Sequence, residues 1–495
     1  MAIKIINANE VSQDFYKPRT LGSSVTEKVQ SFINIVKAKG DEGLRQINDE
    51  LVNAGFDKAS PATFEIPKEV LKASAEKMQK ENPKLYDAIS HSYELALKFA
   101  KKQRECFYDF ETELEPGLFT GQKIIPVERA GLYVPAGRFP LFSSLVMCAA
   151  PAKASGCNET ILCTPPALHP VDKTQPYADE GIMATAYICG IDKVYALGGA
   201  QAVAAMAYGT ESIPQADVIA GPGNKFVTEA KRLVYGDVGI DIIAGPTEAF
   251  IIADESANPS WVAADMLAQA EHDVDAQAVL VTFSKEMANK VSEEIEKQLE
   301  VLPTAKTARQ SIDKNGLIIL ADSLETASKI ANGKAPEHLE IAMDEGESRN
   351  KLIELTHNYG TLFIGHQAAE VLGDYAGGLD HILPTSGAAK FTGGLSVRMF
   401  LKTVTTLRTE QNSDGSLKEG VKHSIQTASI LGHTEGLTAH ARAAEQQRTL
   451  KVAFGDLRTN TQADTVEHQV SILIGIGICN NTQVSNLPAL CYYGR

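Results

Sequence analysis

A glutamate and a histidine stand side by side at Glu337-His338, directly before an apolar run typical of a buried strand. Histidine exchanges protons near neutral pH, and the adjacent carboxyl group has a different basicity. A pair of this kind at the start of a strand predicts acid–base chemistry on a bound molecule. A surface pair arising by chance also fits these two residues taken alone.

A second candidate combines an amide and an imidazole near the end of a predicted helix. Gln269 and His272 are three residues apart and therefore share a helix face. Imidazole nitrogen and amide oxygen can both bind Zn²⁺, although glutamine is an unusual ligand. Considered alone, the pair also fits a polar helix end that faces solvent.

Two more segments carry carboxylates and imidazoles close together. The glycine-rich stretch from Gly373 to Thr385 contains Asp374, Asp380 and His381, a composition that can direct a carboxylate and an imidazole into a cleft. Glu435 and His440 are five residues apart on a predicted helix. By itself, this last pair fits a solvated helix face equally well.

Two glycine-rich turns could hold the phosphates of a dinucleotide. Each follows an apolar run and precedes a helical pattern, at Gly198-Gly199 and at Gly221-Pro222-Gly223-Asn224. Backbone N–H groups at such a turn can face a phosphate. Neither turn is a complete G-x-G-x-x-G motif, so ordinary strand-to-helix packing remains the alternative.

The elements that must position these residues form an α/β protein. Residues 1–125 are predicted to be mostly helical, including a long amphipathic helix over Lys84–Arg104. From Val127 onward, short apolar runs alternate with helical patterns, which indicates parallel sheets covered by helices. The number of strands favours two α/β modules. Two helices are predicted after Pro384, one containing Arg398–Thr405 and one over 420–447, followed by a weakly ordered tail at 448–495.

Composition narrows the class of protein. The chain has 495 residues and a net charge of −15, which argues against nucleic acid or an anionic membrane as the main partner. No apolar run reaches the roughly 18 residues that a membrane-spanning helix needs. Seven cysteines without a C-x-x-C pair fit reduced thiols, so we expect a cytoplasmic protein.

Together, the motifs resemble the histidinol dehydrogenase family over about residues 30–447. The segments that carry the resemblance occur in the order typical of that family. They are Glu128–Gly137, Gly198–Ala202, Gly221–Asn224, Gly239–Glu248, Gln269–His272, Ala335–Leu339, Gly373–Tyr375, His381–Thr385 and Glu435–His440.

The resemblance implies an enzyme of histidine biosynthesis that oxidises L-histidinol through the aldehyde to L-histidine. Members of the family reduce two NAD⁺ in succession and use one Zn²⁺. They are homodimers whose subunits have two incomplete Rossmann-like modules and a helical C-terminal arm. Here residues 1–125 would pack with 242–385 as the first α/β domain. Residues 126–241 would form the NAD-binding domain, and 386–447 the arm that completes the partner's active site.

The resemblance also implies roles for individual residues. His338 would be the general base and Glu337 would activate water. The metal ligands would be Gln269, His272, Asp374 and His440, with His440 supplied by the other subunit. The residues that contact NAD would be Tyr133, Gln201 and Asn224. The substrate site would comprise Thr247, His381 and Glu435 together with His338 and the four metal ligands.

Several positions depart from the pattern of histidine-pathway enzymes. Thr247 replaces the usual serine, Asp380 replaces the usual asparagine, and residues 166–179 contain an insertion. Thr392–Thr405 is more similar to sulfopropanediol dehydrogenases, which oxidise 2,3-dihydroxypropane-1-sulfonate, and Arg138 could bind a sulfonate. Oxidation of a small anionic diol is therefore the alternative function.

Overall fold

The computed structural model describes residues 2–19, 25–53, 61, 63–136, 140–167 and 177–446. Arg138, most of the insertion at 166–179 and the tail at 448–495 lie outside the described residues, so the predictions for them stay predictions. No helix in the described ranges is long and apolar enough to cross a membrane.

The first sheet has six strands, and every pair of neighbours is parallel. Their order is β1-β12-β11-β10-β13-β14. The strands are β1 (Lys4–Asn7), β10 (Glu248–Ala253), β11 (Gln277–Thr282), β12 (Leu317–Leu320), β13 (His338–Ala342) and β14 (Thr361–Ile364). Every residue of β10 and β13 is buried, as expected for central parallel strands covered on both faces.

The second sheet also has six strands, in the order β2-β7-β6-β5-β8-β9. Its neighbours are parallel except for β2, which runs antiparallel to β7. The strands are β2 (Glu65–Ile66), β5 (Arg129–Tyr133), β6 (Glu159–Thr164), β7 (Lys193–Ala196), β8 (Val218–Ala220) and β9 (Gly239–Ile240). The predicted α/β fold with two parallel-sheet modules is confirmed.

Helices cover both sheets. Those in the first half of the chain are α1 (Thr26–Asn53), α2 (Lys68–Glu81), α3 (Pro83–Glu105), α4 (Phe142–Ser155), α5 (Glu180–Ile188), α6 (Ala200–Tyr208) and α7 (Lys225–Val234). Those that follow are α8 (Pro259–Ala270), α9 (Lys285–Leu299), α10 (Ala305–Asn315), α11 (Leu324–Lys334), α12 (Glu347–Leu355), α13 (Glu370–Tyr375), α14 (Glu419–Thr434) and α15 (Thr438–Gln446). The helix expected over Lys84–Arg104 is α3.

The three N-terminal helices pack differently from the expectation. Helix α1 lies on α6 and α7, α2 lies on α5, and α3 lies on α4, all of which belong to the second sheet's module. Of the N-terminal region, β1 pairs with β12 of the first sheet, where residues 242–385 supply the other strands. The apolar faces of α1–α3 are buried in the two hydrophobic clusters that also contain the second sheet's strands.

A third sheet has three strands in the order β15-β4-β3: β3 (Phe110–Glu115), β4 (Leu118–Pro126) and β15 (Leu401–Thr409). The predicted helix over Arg398–Thr405 is therefore wrong, because most of this segment is β15. Its β-branched residues, such as Thr403, Val404 and Thr405, favour an extended backbone. The predicted long helix at 420–447 is interrupted after α14, where Gly436 takes a left-handed conformation (φ 77°).

The chain divides into two compact units. The larger comprises Met1–Phe110 and Gln122–Thr406, and it contains both six-stranded sheets. The smaller comprises Glu111–Gly121 and the residues from Leu407 onward. Within the smaller unit, Arg408 forms ion pairs with Glu111 and Glu410, each at 2.7 Å, and α14 packs against α15.

Candidate active site

The amino-terminal edge of the first sheet brings the Glu337-His338 pair next to Thr247. Strands β10 and β13 are parallel neighbours, with Ala249 opposite His338, so the residues that precede them are adjacent. Glu337 Oε2 accepts hydrogen bonds from the Thr247 hydroxyl (2.6 Å) and from the Glu248 N–H (2.9 Å). Glu337 is thus held in one orientation by two donors, both supplied by the neighbouring strand.

The His338 imidazole is buried with one nitrogen bonded and the other available. Its Nδ1 lies 3.2 Å from the Glu248 carbonyl oxygen, which can only accept, so Nδ1 carries a hydrogen. Among the described residues, Nε2 has no hydrogen-bond partner, and it lies 3.6 Å from Asp374 Oδ1. In the neutral ring, Nε2 is therefore the atom that can accept a proton.

The Glu337-His338 pair has shifted proton affinities. Burial raises the pKa of Glu337 to about 7, although His338 and the two donors act in the opposite direction. Burial lowers the pKa of His338, but the carboxylates of Glu337, Asp374 and Glu370 outweigh that effect and raise it to about 10. The Glu337 carboxyl group therefore exchanges its proton near neutral pH, whereas the surrounding carboxylates favour the protonated form of His338.

The first three proposed metal ligands come from two helix ends at the same edge of the sheet. Gln269 is buried at the end of α8, in contact with the Thr247 hydroxyl, and His272 follows with an exposed side chain. Asp374 lies on α13. Burial raises the pKa of Asp374, but His338, with smaller effects from His381 and His272, lowers it below the usual value.

This donor set fits Zn²⁺ in its chemistry. One imidazole, one carboxylate and one amide oxygen are hard or intermediate donors of the kinds that bind zinc. In the described ranges, no three histidine, cysteine, aspartate or glutamate side chains already surround a metal-sized position.

The remaining proposed ligand and one proposed substrate residue lie in the smaller unit. Glu435 caps the end of α14, and His440 lies on α15. Both side chains are exposed. Their assignment to the active site of a partner subunit stays a prediction.

His381 connects the two α/β modules. Its Nδ1 donates to the Asp374 carbonyl oxygen (3.0 Å), and its Nε2 lies 3.3 Å from the hydroxyl of Ser144 on α4. Burial lowers the pKa of His381, so this imidazole favours the neutral form. Its contact with Asp374 places it beside one proposed metal ligand, and its role in the substrate site stays a prediction.

The proposed NAD contacts lie at the carboxyl edge of the second sheet, the usual position for a dinucleotide in such folds. Tyr133 ends β5, and its hydroxyl accepts from the Gly199 N–H (3.0 Å). The Gln201 amide donates to Asn48 (3.2 Å), and Asn224 caps α7 by accepting from the Phe226 N–H (3.0 Å). The three residues therefore shape two neighbouring turns, while direct contact with NAD stays a prediction.

Sequence analysis missed three buried carboxyl groups beside the site. Asp265 on α8 forms a hydrogen bond with Glu340 on β13, and burial raises the pKa of both. Glu370 on α13 is also buried, which raises its pKa to about 8. In the Gln269 orientation that satisfies both ends of the amide, its nitrogen donates to Glu370 (3.0 Å) and its oxygen accepts from the Glu248 N–H (2.9 Å).

A sequence signal for two of these carboxyl groups did exist. Glu340 is two residues after His338, so both side chains lie on the same face of a strand. Asp265 is four residues before Gln269, so both lie on the same face of a helix. Acidic residues at such positions in otherwise apolar elements indicate a polar cluster behind the site.

The fold and the site together define an α/β enzyme with two parallel-sheet modules and a buried acid–base pair. The family model described as histidinol dehydrogenase matches residues 16–448. The chain belongs to the histidinol dehydrogenase family.

Individual relatives agree with this membership. The chain is 42% identical over 427 residues to histidinol dehydrogenase of Streptococcus mutans, covering 85% of this chain and 92% of that protein. It is 40% identical over 430 residues to the Thermus thermophilus enzyme, covering 86% and 95%. The crystal structure of histidinol dehydrogenase from Elizabethkingia anophelis is similar with a TM-score of 0.79 and 30% identity, covering 90% of this chain and 97% of that one.

Proposed function

We propose that this protein oxidises L-histidinol through the aldehyde to L-histidine, with NAD⁺ as the hydride acceptor in both steps. The observation that carries the proposal is the buried Glu337-His338 pair, held by Thr247 and Glu248 beside Asp374 and Gln269. Full-length relatives at about 40% identity are histidinol dehydrogenases, which supports the choice of substrate.

In the first step, the alcohol loses a proton from oxygen and a hydride from carbon. The neutral form of His338 takes the proton on Nε2, because Nδ1 is already committed to the Glu248 carbonyl. The hydride passes to NAD⁺, and the products are the aldehyde and NADH. The buried surroundings of the imidazole exclude water that would compete for the proton.

In the second step, water adds to the aldehyde carbon and a second hydride leaves. Glu337, whose pKa is raised to about 7 by burial, takes the proton from this water. The hydrate, which has given one proton to Glu337, then loses a hydride to a second NAD⁺, and the resulting carboxylic acid releases its remaining proton to become the carboxylate. Thr247 and the Glu248 N–H keep Glu337 in position for this transfer.

The proposed zinc ion would be held by Gln269, His272 and Asp374 of one subunit and by His440 of the partner subunit in a homodimer. When bound, it would supply Lewis-acid polarisation of the substrate oxygen and would offset the Asp374 carboxylate near His338. His381 holds the backbone of Asp374 through its Nδ1–H.

The test is turnover by the purified protein with zinc, NAD⁺ and either L-histidinol or 2,3-dihydroxypropane-1-sulfonate. We expect NADH formation with histidinol, two NADH for each histidine formed, and none with the sulfonate. Turnover of the sulfonate alone would replace the proposed substrate with the anionic diol. Absence of turnover with both would contradict the proposed activity.

A further inference from the structure

A buried ion pair, Lys231 with Asp241, forms hydrogen bonds with both the N–H and the carbonyl group of Gly221. The Asp241 carboxylate accepts from the Gly221 N–H (2.7 Å) and the Ile242 N–H (2.6 Å). Lys231 Nζ donates to the Gly221 carbonyl oxygen (2.9 Å) and also forms an ion pair with Asp241. The Lys231 and Asp241 side chains are 4% and 0% exposed, so water cannot substitute for either partner.

The backbone at Gly221, which Lys231 and Asp241 hold, has a conformation that few residues can adopt. Gly221 has a φ of +127°, a conformation that side chains with a Cβ rarely adopt. A Cβ at this position would overlap the carbonyl oxygen of Tyr133 at the end of β5. The turn that begins at Gly221 is therefore pressed against the neighbouring strand, and its shape depends on tertiary contacts.

The two charged residues also connect the turn to the other module. Lys231 lies on α7, the helix that Asn224 caps at the end of the same turn. Asp241 follows β9 and begins the segment that leads to Thr247 and β10. Through Asp241, the turn at 221–224 is fixed to the chain segment that delivers Thr247 to Glu337.

We propose that Lys231 and Asp241 are positioning residues for the nicotinamide cofactor. They hold the Gly221–Asn224 turn in the shape that binds the dinucleotide, and they set its distance from the acid–base pair. A buried ion pair by itself contributes little net stability, because desolvation offsets the attraction between the charges. Its three hydrogen bonds to the turn and the following segment give this pair a role that an apolar pair could not fill. The proposal rests on the proposed function, in which this turn binds NAD⁺.

The test compares Asp241→Asn with a matched control, Asp192→Asn. Asp192 also accepts from a lysine, Lys153 (2.9 Å), and from a backbone N–H, that of Thr160 (2.8 Å), but at the opposite edge of the same sheet. We measure NAD⁺ affinity by fluorescence titration, along with KM for each substrate and kcat. Asp241→Asn should weaken NAD⁺ binding about tenfold, since a lost charge-assisted hydrogen bond has an effect of this order. KM for histidinol should stay within about twofold in both variants, and Asp192→Asn should leave NAD⁺ binding unchanged.

A folded Asp241→Asn variant that binds NAD⁺ as tightly as wild type would overturn the proposal, as would equal weakening in Asp192→Asn. If Asp241→Asn does not fold, the double variant Lys231→Met/Asp241→Asn leaves no lone buried charge and takes its place. The double variant should show the same weakened NAD⁺ binding, and normal binding by it would also overturn the proposal. If wild-type protein binds no NAD⁺, the proposed function itself fails, which is a different result.

Discussion

Replacing Glu340 with glutamine should stabilise the protein by an amount that grows with pH. Glu340 and Asp265 share a hydrogen bond in the interior, and two carboxyl groups can do so only if one of them carries a proton. Burial, followed by the nearby Asp265 and Glu370 carboxylates, raises the pKa of Glu340, so Glu340 keeps this proton in the folded chain. A glutamine amide can still donate to Asp265 but has no proton to lose.

The sign follows from the difference between folded and unfolded protein. An unfolded glutamate ionises near its ordinary pKa of 4.5, whereas the folded one stays protonated to higher pH. The contribution of Glu340 to the wild-type free energy of unfolding is therefore fully present below about pH 4.5 and is lost as the pH rises above 4.5. One retained proton corresponds to about 1.4 kcal/mol per pH unit. Between about pH 5.5 and about pH 7.5, wild type should lose up to roughly 3 kcal/mol relative to Glu340→Gln.

The assay is urea unfolding of both proteins at a series of pH values and at one protein concentration. Glu354→Gln, which changes an exposed glutamate on α12, is the control and should shift stability by less than about 0.5 kcal/mol at every pH. The reasoning is refuted if the difference between Glu340→Gln and wild type does not change with pH. It is equally refuted if the variant is the less stable protein throughout this range.

Three further predictions concern the active site. His338→Ala should lower kcat about 10²–10⁴-fold in NADH-formation assays, the usual contribution of a positioned base, and normal kcat would exclude that role. Glu337→Gln should slow the second oxidation more than the first, so that the aldehyde accumulates and can be trapped with a hydrazine reagent. An equal loss of rate in both oxidations would contradict the proposal that Glu337 activates water. The variants His440→Ala and His272→Ala should each lose zinc. If each site uses both subunits and subunits pair at random, mixing the two variants should restore about a quarter of the wild-type activity. No recovery of activity in confirmed mixed dimers would argue against a shared site.

Much of the fold was predictable because periodicity is a local property. The buried strand at His338–Ala342 and the helix that carries Gln269 follow from runs of apolar residues at the spacing of each element. The segment at 398–405 was predicted wrongly as a helix because its partner strand β4 lies about 280 residues earlier in the chain. A sequence pattern contains no direct sign of such a partner, although the β-branched residues there are a weak one.

The site was predictable in pieces and not as an arrangement. Each pair, such as Gln269 with His272, also fitted an ordinary solvent-exposed surface until the family resemblance joined the pairs in one set. The contact of Thr247 with Glu337 depends on β10 and β13 being neighbours, and strand order is decided by the packing of the whole sheet. The Lys231–Asp241 pair was missed as well, because charged residues on amphipathic elements are usually solvated.

The proposed NAD turns lie at an edge of the second sheet and the acid–base pair at an edge of the first sheet. The helix ends at these two edges carry partial charges of opposite sign. Helices α6 and α7 begin at the turns proposed for NAD, and the start of a helix carries roughly half a positive elementary charge. Helix α8 instead ends beside Gln269, where the unpaired carbonyl groups carry a comparable negative charge. The backbone alone therefore creates a field that favours a phosphate at one edge and a cation at the other. Side chains such as Asp374 refine a preference that the direction of the helices has already established.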